Sequence, residues 1–306
     1  MTTPTLATTF CASSPEDILA AVPIVLGFEP EASLVMLTFG GAHQFHCRLD
    51  LPTSAHVAEC SRSVLAPARH HAVQRVVFVV YGAQAALAGK LTRRLESDFT
   101  RAGIDVVECL RASGGRWFRL LGPRPDVGTP YDISEHPFRA QAVVAGRVTE
   151  PSRAAVAARL DPDPVAQQAV AAALRRAVPP ETDETGALVD SLLGATASPE
   201  QIARLLLGVA PIEGRDRAWS RMSREAAAAH VELWTAIVRA APPEHVAQAA
   251  GLLAFASWLA GHGALAWCAV DRCLAVEPDH RLGLLVAEVL NRAVAPTLWE
   301  APSPAA

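Results

Sequence analysis

Lysine is nearly missing from this chain: Lys90 is the only one, and every other basic residue is arginine. With the abundance of Ala, Val and Pro, that bias points to a GC-rich bacterial genome, so the arginine excess carries little functional weight. Charge of either sign is sparse, at 19% of residues, and the balance is acidic, −4 at pH 7 with an isoelectric point near 6.2. A nucleic-acid binder announces itself by a basic patch or stripe; nothing in the sequence predicts one, and no nucleic-acid partner is expected. The six cysteines (Cys11, Cys47, Cys60, Cys109, Cys268 and Cys273) include no C-x-x-C pair and sit mostly among apolar neighbours. Buried, reduced thiols do the same, and they point to the cytoplasm. No basic segment followed by an apolar run opens the chain, so a secretory signal is not expected.

Long apolar runs are scarce too. The exception, residues 249–270, has no Asp, Glu, Lys or Arg and the length of a membrane span. It is Ala/Gly-rich, and Gly261-His262-Gly263 breaks it with a turn signal and an imidazole. A buried helical hairpin is expected there, and no membrane.

The chain has 306 residues, 51% of them hydrophobic. That exceeds one comfortable core and favours two compact units. Ser13-Ser14-Pro15-Glu16-Asp17 is a helix start, with a hydroxyl cap, an early proline and acids at the positive dipole end; the helix is expected to stop at Ala21. A strand over 33–39, the Gly40-Gly41 turn and a strand over 43–51 form a β-hairpin. Helical spacing of Val57, Cys60, Val64 and Leu65 marks a helix over 54–66. The unbroken run 76–80, Val-Val-Phe-Val-Val, marks a strand covered on both faces. Leu87, Leu91, Leu95 and Phe99 then recur every four residues up to Gly103, and strands follow over 104–110 and 116–121. Beyond Pro137 only helices are expected: 138–146, 152–160, 164–178, one beginning at the Ser198–Gln201 capping box, 223–240, 243–260, 263–276 and 280–294.

The expected architecture is therefore an α/β half, with a mixed sheet, a β-hairpin and βαβ units, followed by an all-α half. The boundaries read as 1–136 and 137–300, with a linker over 179–186 and a tail over 301–306. In the last hairpin Leu253, Gly261, Ala266 and Pro278 fall at tetratricopeptide offsets. One unit is no array, so the hairpin is tetratricopeptide-like and no more.

Several stretches resemble a bacterial family known as domain of unknown function 4192. They are Ser14–Asp17, Val22-Pro23, Leu26 through Val35, Arg48-Leu49-Asp50-Leu51-Pro52, Gly115-Arg116-Trp117, Gly128-Thr129-Pro130, Ala145-Gly146-Arg147 with Ser152-Arg153, and Trp258 through Ala266. Members usually carry a cysteine-rich stretch between the Arg-Trp strand and the Gly-Thr-Pro loop. Here residues 121–126 read Leu-Gly-Pro-Arg-Pro-Asp, which removes any thiol or metal role from that place. The resemblance supports the fold and compartment and implies no activity.

The most distinctive polar set is Glu29, Glu31 and Ser33 with Arg48 and Asp50, which the hairpin would bring to one sheet end. An arginine among carboxylates either clamps an anion or satisfies them as a structural network, and the network is the commoner outcome. Arg116 and Trp117 are a weaker addition. Asp132, Glu135 and His136 share a loop and suit general acid/base work, though such loops commonly just start helices. The stretch from Gly82 to Lys90 follows a strand and enters a helix, but six residues separate the glycine from the Gly-Lys pair and Leu91 replaces the hydroxyl residue of a phosphate loop. His43 and His46 lie three apart, on opposite faces of a strand, and cannot share a metal ion. No cofactor and no metal are expected.

The leading expectation is thus a non-enzymatic cytoplasmic scaffold, sensor or protein-interaction module, with an unknown partner or self-association through the C-terminal helices. The rival is a hydrolase, a transferase or a small-ligand- or nucleotide-binding protein, its site at the C-terminal ends of the strands.

Overall fold

A computed structural model describes residues 11–41, 43–122 and 127–300. The expected tail 301–306, the first ten residues and most of the 121–126 stretch lie outside them. The chain forms two compact units that divide between Arg153 and Ala154.

The first unit runs α1 (Pro15–Leu26), β1 (Ser33–Phe39), β2 (His46–Asp50), α2 (Val57–His70), β3 (Arg75–Tyr81), α3 (Ala85–Arg101), β4 (Asp105–Ser113), β5 (Arg116–Arg119), β6 (Thr129–Pro130) and α4 (Pro137–Val144). Ser14 caps α1 through a reciprocal capping box with Asp17. The helix does not stop at Ala21, as its composition suggested, but runs through Pro23 to Leu26. A proline inside a helix removes one hydrogen bond and crowds the preceding turn. Here Leu19, Val22 and Ile24 are all buried, and their burial outweighs that loss until Gly27 turns left-handed and its N–H meets the Pro23 carbonyl at 2.8 Å. The same happens in α2, which passes Pro67 to bury Ala68 and ends at His70 rather than 66.

The six strands form one sheet in the order β2-β1-β3-β4-β5-β6. β1 is antiparallel to both β2 and β3, while β3 and β4 run parallel. β2-α2-β3 is therefore a crossover that steps over β1, and β3-α3-β4 is a crossover between neighbours; the mixed sheet with hairpin and βαβ units is present. One face buries Leu34, Met36, Val76, Phe78 and Val80 against Val64, Leu91, Leu95 and Phe99 of α2 and α3. The other buries Val35, Leu37, Val77, Val79 and Leu110 against Leu19 and Val22 of α1. A short parallel bridge, Phe28 to Glu150, joins the end of α1 to the segment after α4.

The rest of the chain is helical: α5 (Arg153–Ala158), α6 (Pro164–Leu174), α7 (Thr182–Leu192), α8 (Pro199–Val209), α9 (Ile212–Ser220), α10 (Ala227–Ala240), α11 (Val246–Leu259), α12 (Gly263–Val276) and α13 (Arg281–Asn291). Within the expected linker 179–186, α7 already starts at Thr182. Asp183 and Glu184 suit its first turn, and Thr185 and Gly186 are buried. Every residue of α11 except Gln248 is buried, so this helix is the centre of the unit and shows no amphipathic stripe. With α12 it makes the expected hairpin, broken at Gly261 with φ 77°. Among the described residues no helix is long and apolar enough to cross a membrane.

Candidate functional site

Directly opposed residues on neighbouring strands point to the same face of a sheet. The register therefore draws one row across all six strands: Asp50, Ser33, Tyr81, Ala112, Trp117 and Thr129. Tyr81, Ala112 and Trp117 belong to the core on the α1 face, which fixes the side. The row crosses the C-terminal ends of the parallel pair β3 and β4, the edge where open α/β sheets place ligands.

On this face the hairpin does assemble most of the expected polar set. Arg48 lies opposite Val35, one row in from Ser33. Its Nε donates to Ser33 Oγ at 2.7 Å, Nη2 to the Glu31 carbonyl at 3.3 Å, and Nη1 pairs with Asp50 at 2.6 Å. Ser33 Oγ in turn donates to the Glu31 carbonyl. The guanidinium thus holds the end of the hairpin together. Glu29 is not in this network; its carboxylate takes Arg139 Nη1 of α4 at 2.6 Å.

Arg116 and Trp117 are separated by strand alternation. Arg116 donates to the Gly128 carbonyl, whereas the Trp117 indole reaches α1 and donates to Glu16 at 2.7 Å. Asp132, Glu135 and His136 are not brought together either. Asp132 accepts the Ser134 backbone N–H at 2.8 Å, which holds its carboxyl below the usual range, and Glu135 is exposed. His136 caps α4, with Nδ1 accepting from Phe138 N and Nε2 facing Asp17 Oδ1 at 3.1 Å. The backbone N–H of Ser13, with help from Ser14, brings the Asp17 carboxyl to about 2 against the opposing effect of burial.

The other motifs are accounted for locally. Lys90 donates to the Ser54 carbonyl at 2.8 Å and the Gly82 N–H to that of Ala112, so these two donors are engaged within the chain. His46 Nδ1 accepts from the Thr38 backbone N–H, and burial brings the imidazole down to about 4. Burial likewise pushes Cys47 and Cys273 up to about 12 and Cys60 to about 11, far from reactive thiolates. Among the described residues no group of three or more His, Cys, Asp or Glu is placed to hold a metal ion.

Sequence reasoning missed the feature in the middle of the row. At the strand ends lies an open depression of about 260 Å³, lined by residues 30–32, Tyr81, Gly82, residues 112–114 and Tyr131. The chain has two tyrosines, and both are here. The Tyr81 hydroxyl is shielded from solvent and meets no hydrogen-bond partner among the described residues; leaving a covered hydroxyl unpaired costs about 1–3 kcal/mol. Burial, then the charges of Tyr131 and Glu29, pushes its phenol well above the usual value. Burial and then Glu29 raise Tyr131 as well. Both phenols are therefore neutral near pH 7. The only local hint was that Tyr81 ends the apolar run 76–80 in a polar group.

A family model described as Domain of unknown function (DUF4192) matches residues 15–297. No curated protein and no solved structure matches the chain.

Proposed function

This chain belongs to the family of domain of unknown function DUF4192, and on that footing we propose that its first unit binds a small polar molecule in the strand-end depression and acts as a non-enzymatic sensor. One observation carries the reading. Tyr81 stands in the row with Ser33, Asp50 and Trp117 and borders the depression, and its hydroxyl is a covered polar group with no partner among the described residues. Such groups in native structures call for an explanation, and one beside a concave strand end is what a bound ligand satisfies. The non-enzymatic half of the proposal rests on the neighbouring acids and bases: His136, Asp132 and Arg48 are each engaged in a cap, a turn or a hairpin clamp. A bacterial cytoplasmic setting agrees with free cysteines whose thiols are mostly buried.

The test is a thermal-shift survey of a metabolite library against the wild-type chain and Tyr81→Phe, which keeps the ring and removes the unpaired hydroxyl. A ligand at a hundredfold its Kd stabilises by about 2.7 kcal/mol, and that shift is expected to vanish in the variant. Compounds that stabilise both proteins equally, or a library that stabilises neither, would refute the proposal.

A further inference from the structure

Resting on that reading, we infer that the ligand presents a protonated amine to Tyr81, Tyr131 and Glu31. The residues lining the depression include both tyrosines, whose phenols are neutral, and the exposed Glu31, with no lysine or arginine among them. Glu31 meets no cation among the described residues, since Arg48 approaches its backbone carbonyl and pairs with Asp50 instead.

Three arginines of this unit are engaged by protein groups. Arg139 is held by Glu29 and Arg116 by the Gly128 carbonyl. Arg111, on β4 beside Ala112, points to the opposite face of the sheet; its Nη1 reaches the carbonyls of Gly82 and Ala83, and its guanidinium lies 3.9 Å over the Phe118 ring. An anionic ligand would meet no basic residue in the lining and would face Glu31. A protonated amine, by contrast, can ion-pair with Glu31, lie against an aromatic face and, by displacing the cover over Tyr81 Oη, donate to its lone pairs. The volume suits the head of a small molecule rather than a nucleotide.

The experiment follows the tyrosine ring resonances of the full-length protein by NMR. It titrates n-butylammonium, neutral 1-butanol, butyrate and inorganic phosphate into wild type, Tyr81→Phe and Glu31→Gln. Expected is butylammonium binding about tenfold tighter than 1-butanol, with about tenfold lost in each variant. Glu31 is exposed, so Glu31→Gln leaves the fold intact. Binding of butylammonium that Glu31→Gln leaves unchanged overturns the inference. So does Tyr81-dependent binding of butanol, butyrate or phosphate in its place, although the ligand site itself would then stand. If no probe and no library compound depends on Tyr81, the amine and the site fall together.

Discussion

The two units solve the problem of buried polar groups in opposite ways. In the sheet unit they are paired: Ser61 donates to Asp98 at 2.8 Å, Thr92 meets Cys109 at 3.2 Å, and Ser33 is bound to Arg48. Among its described residues Tyr81 Oη is the one covered side-chain oxygen without a partner. The helical unit instead leaves Trp234 Nε1, Thr235 Oγ1, Ser257 Oγ and Arg272 Nε covered and unpaired among its described residues, in α10, α11 and α12. There the helices are rich in alanine and glycine, backbones come close, and the carbonyls are already committed to helical bonds. Against a well-paired background the same observation at Tyr81 carries functional meaning; in the helical unit it marks the style of packing.

Glycine offers the strongest way to break this comparison. A Cβ on Gly214 would fall 1.8 Å from the Gly208 carbonyl oxygen, so Gly214→Ala is expected to force α8 and α9 apart and cost about 3 kcal/mol. In the sheet unit Gly103 has open space around it and a φ of 76°, so Gly103→Ala should cost only about 1 kcal/mol of backbone strain. Urea denaturation of both variants decides, and equal losses would remove the distinction between glycine for closeness and glycine for turning.

Next in size, Asp98→Ala strips α3 of a carboxylate that holds Ser61 of α2 and Arg94 at 2.6 Å. A loss of about 2–3 kcal/mol is expected, because charged hydrogen bonds vanish and a hydroxyl is left buried. A loss below 0.5 kcal/mol, roughly what a surface change costs, would mean that polar pairing does not hold α2 to α3.

Acid sharpens the contrast further. Burial lowers the imidazoles of His46, His230 and His280, though the Arg221 backbone and Asp190 work the other way at His230. A lowered histidine favours the fold above its unfolded value near 6.5, and that contribution is lost as pH falls toward the folded value, about 4 for His46. Between pH 7.5 and 5 His46 alone accounts for about 2 kcal/mol, and His46→Gln should flatten the pH profile of the urea midpoint. Asp17 acts in a separate window, from near 4 down to about 2.

The smallest pair has opposite signs. Ser257→Ala removes an unpaired hydroxyl and is expected to stabilise by about 1 kcal/mol, whereas Ser61→Ala removes a paired one and should cost about 1 kcal/mol. Calorimetry that found both destabilising would show that Ser257 is paired in solution.

What could be read from the sequence was what is local. The strand over 76–80, the helix carrying Leu87 to Phe99, the Ser198–Gln201 capping box and the Gly263–Val276 helix all declare themselves within a few residues. Helix ends at prolines were misjudged because the burial that carries α1 past Pro23 is tertiary. α9 was missed because its packing depends on a glycine approach rather than an apolar stripe. The hairpin brought Ser33, Arg48 and Asp50 together as its local pattern suggested. Tyr81 joined them only because β1 pairs with β3, a long-range choice that no short pattern records.

The transverse row also equips the molecule with its own optical reporter. Of the six tryptophans, Trp117 alone lies in the sheet unit, in the same row as Tyr81 and one strand beyond Ala112, its indole tied to the first turn of α1. Occupancy beside the phenols will therefore be written into the emission of a single fluorophore, while the other five follow the helical unit.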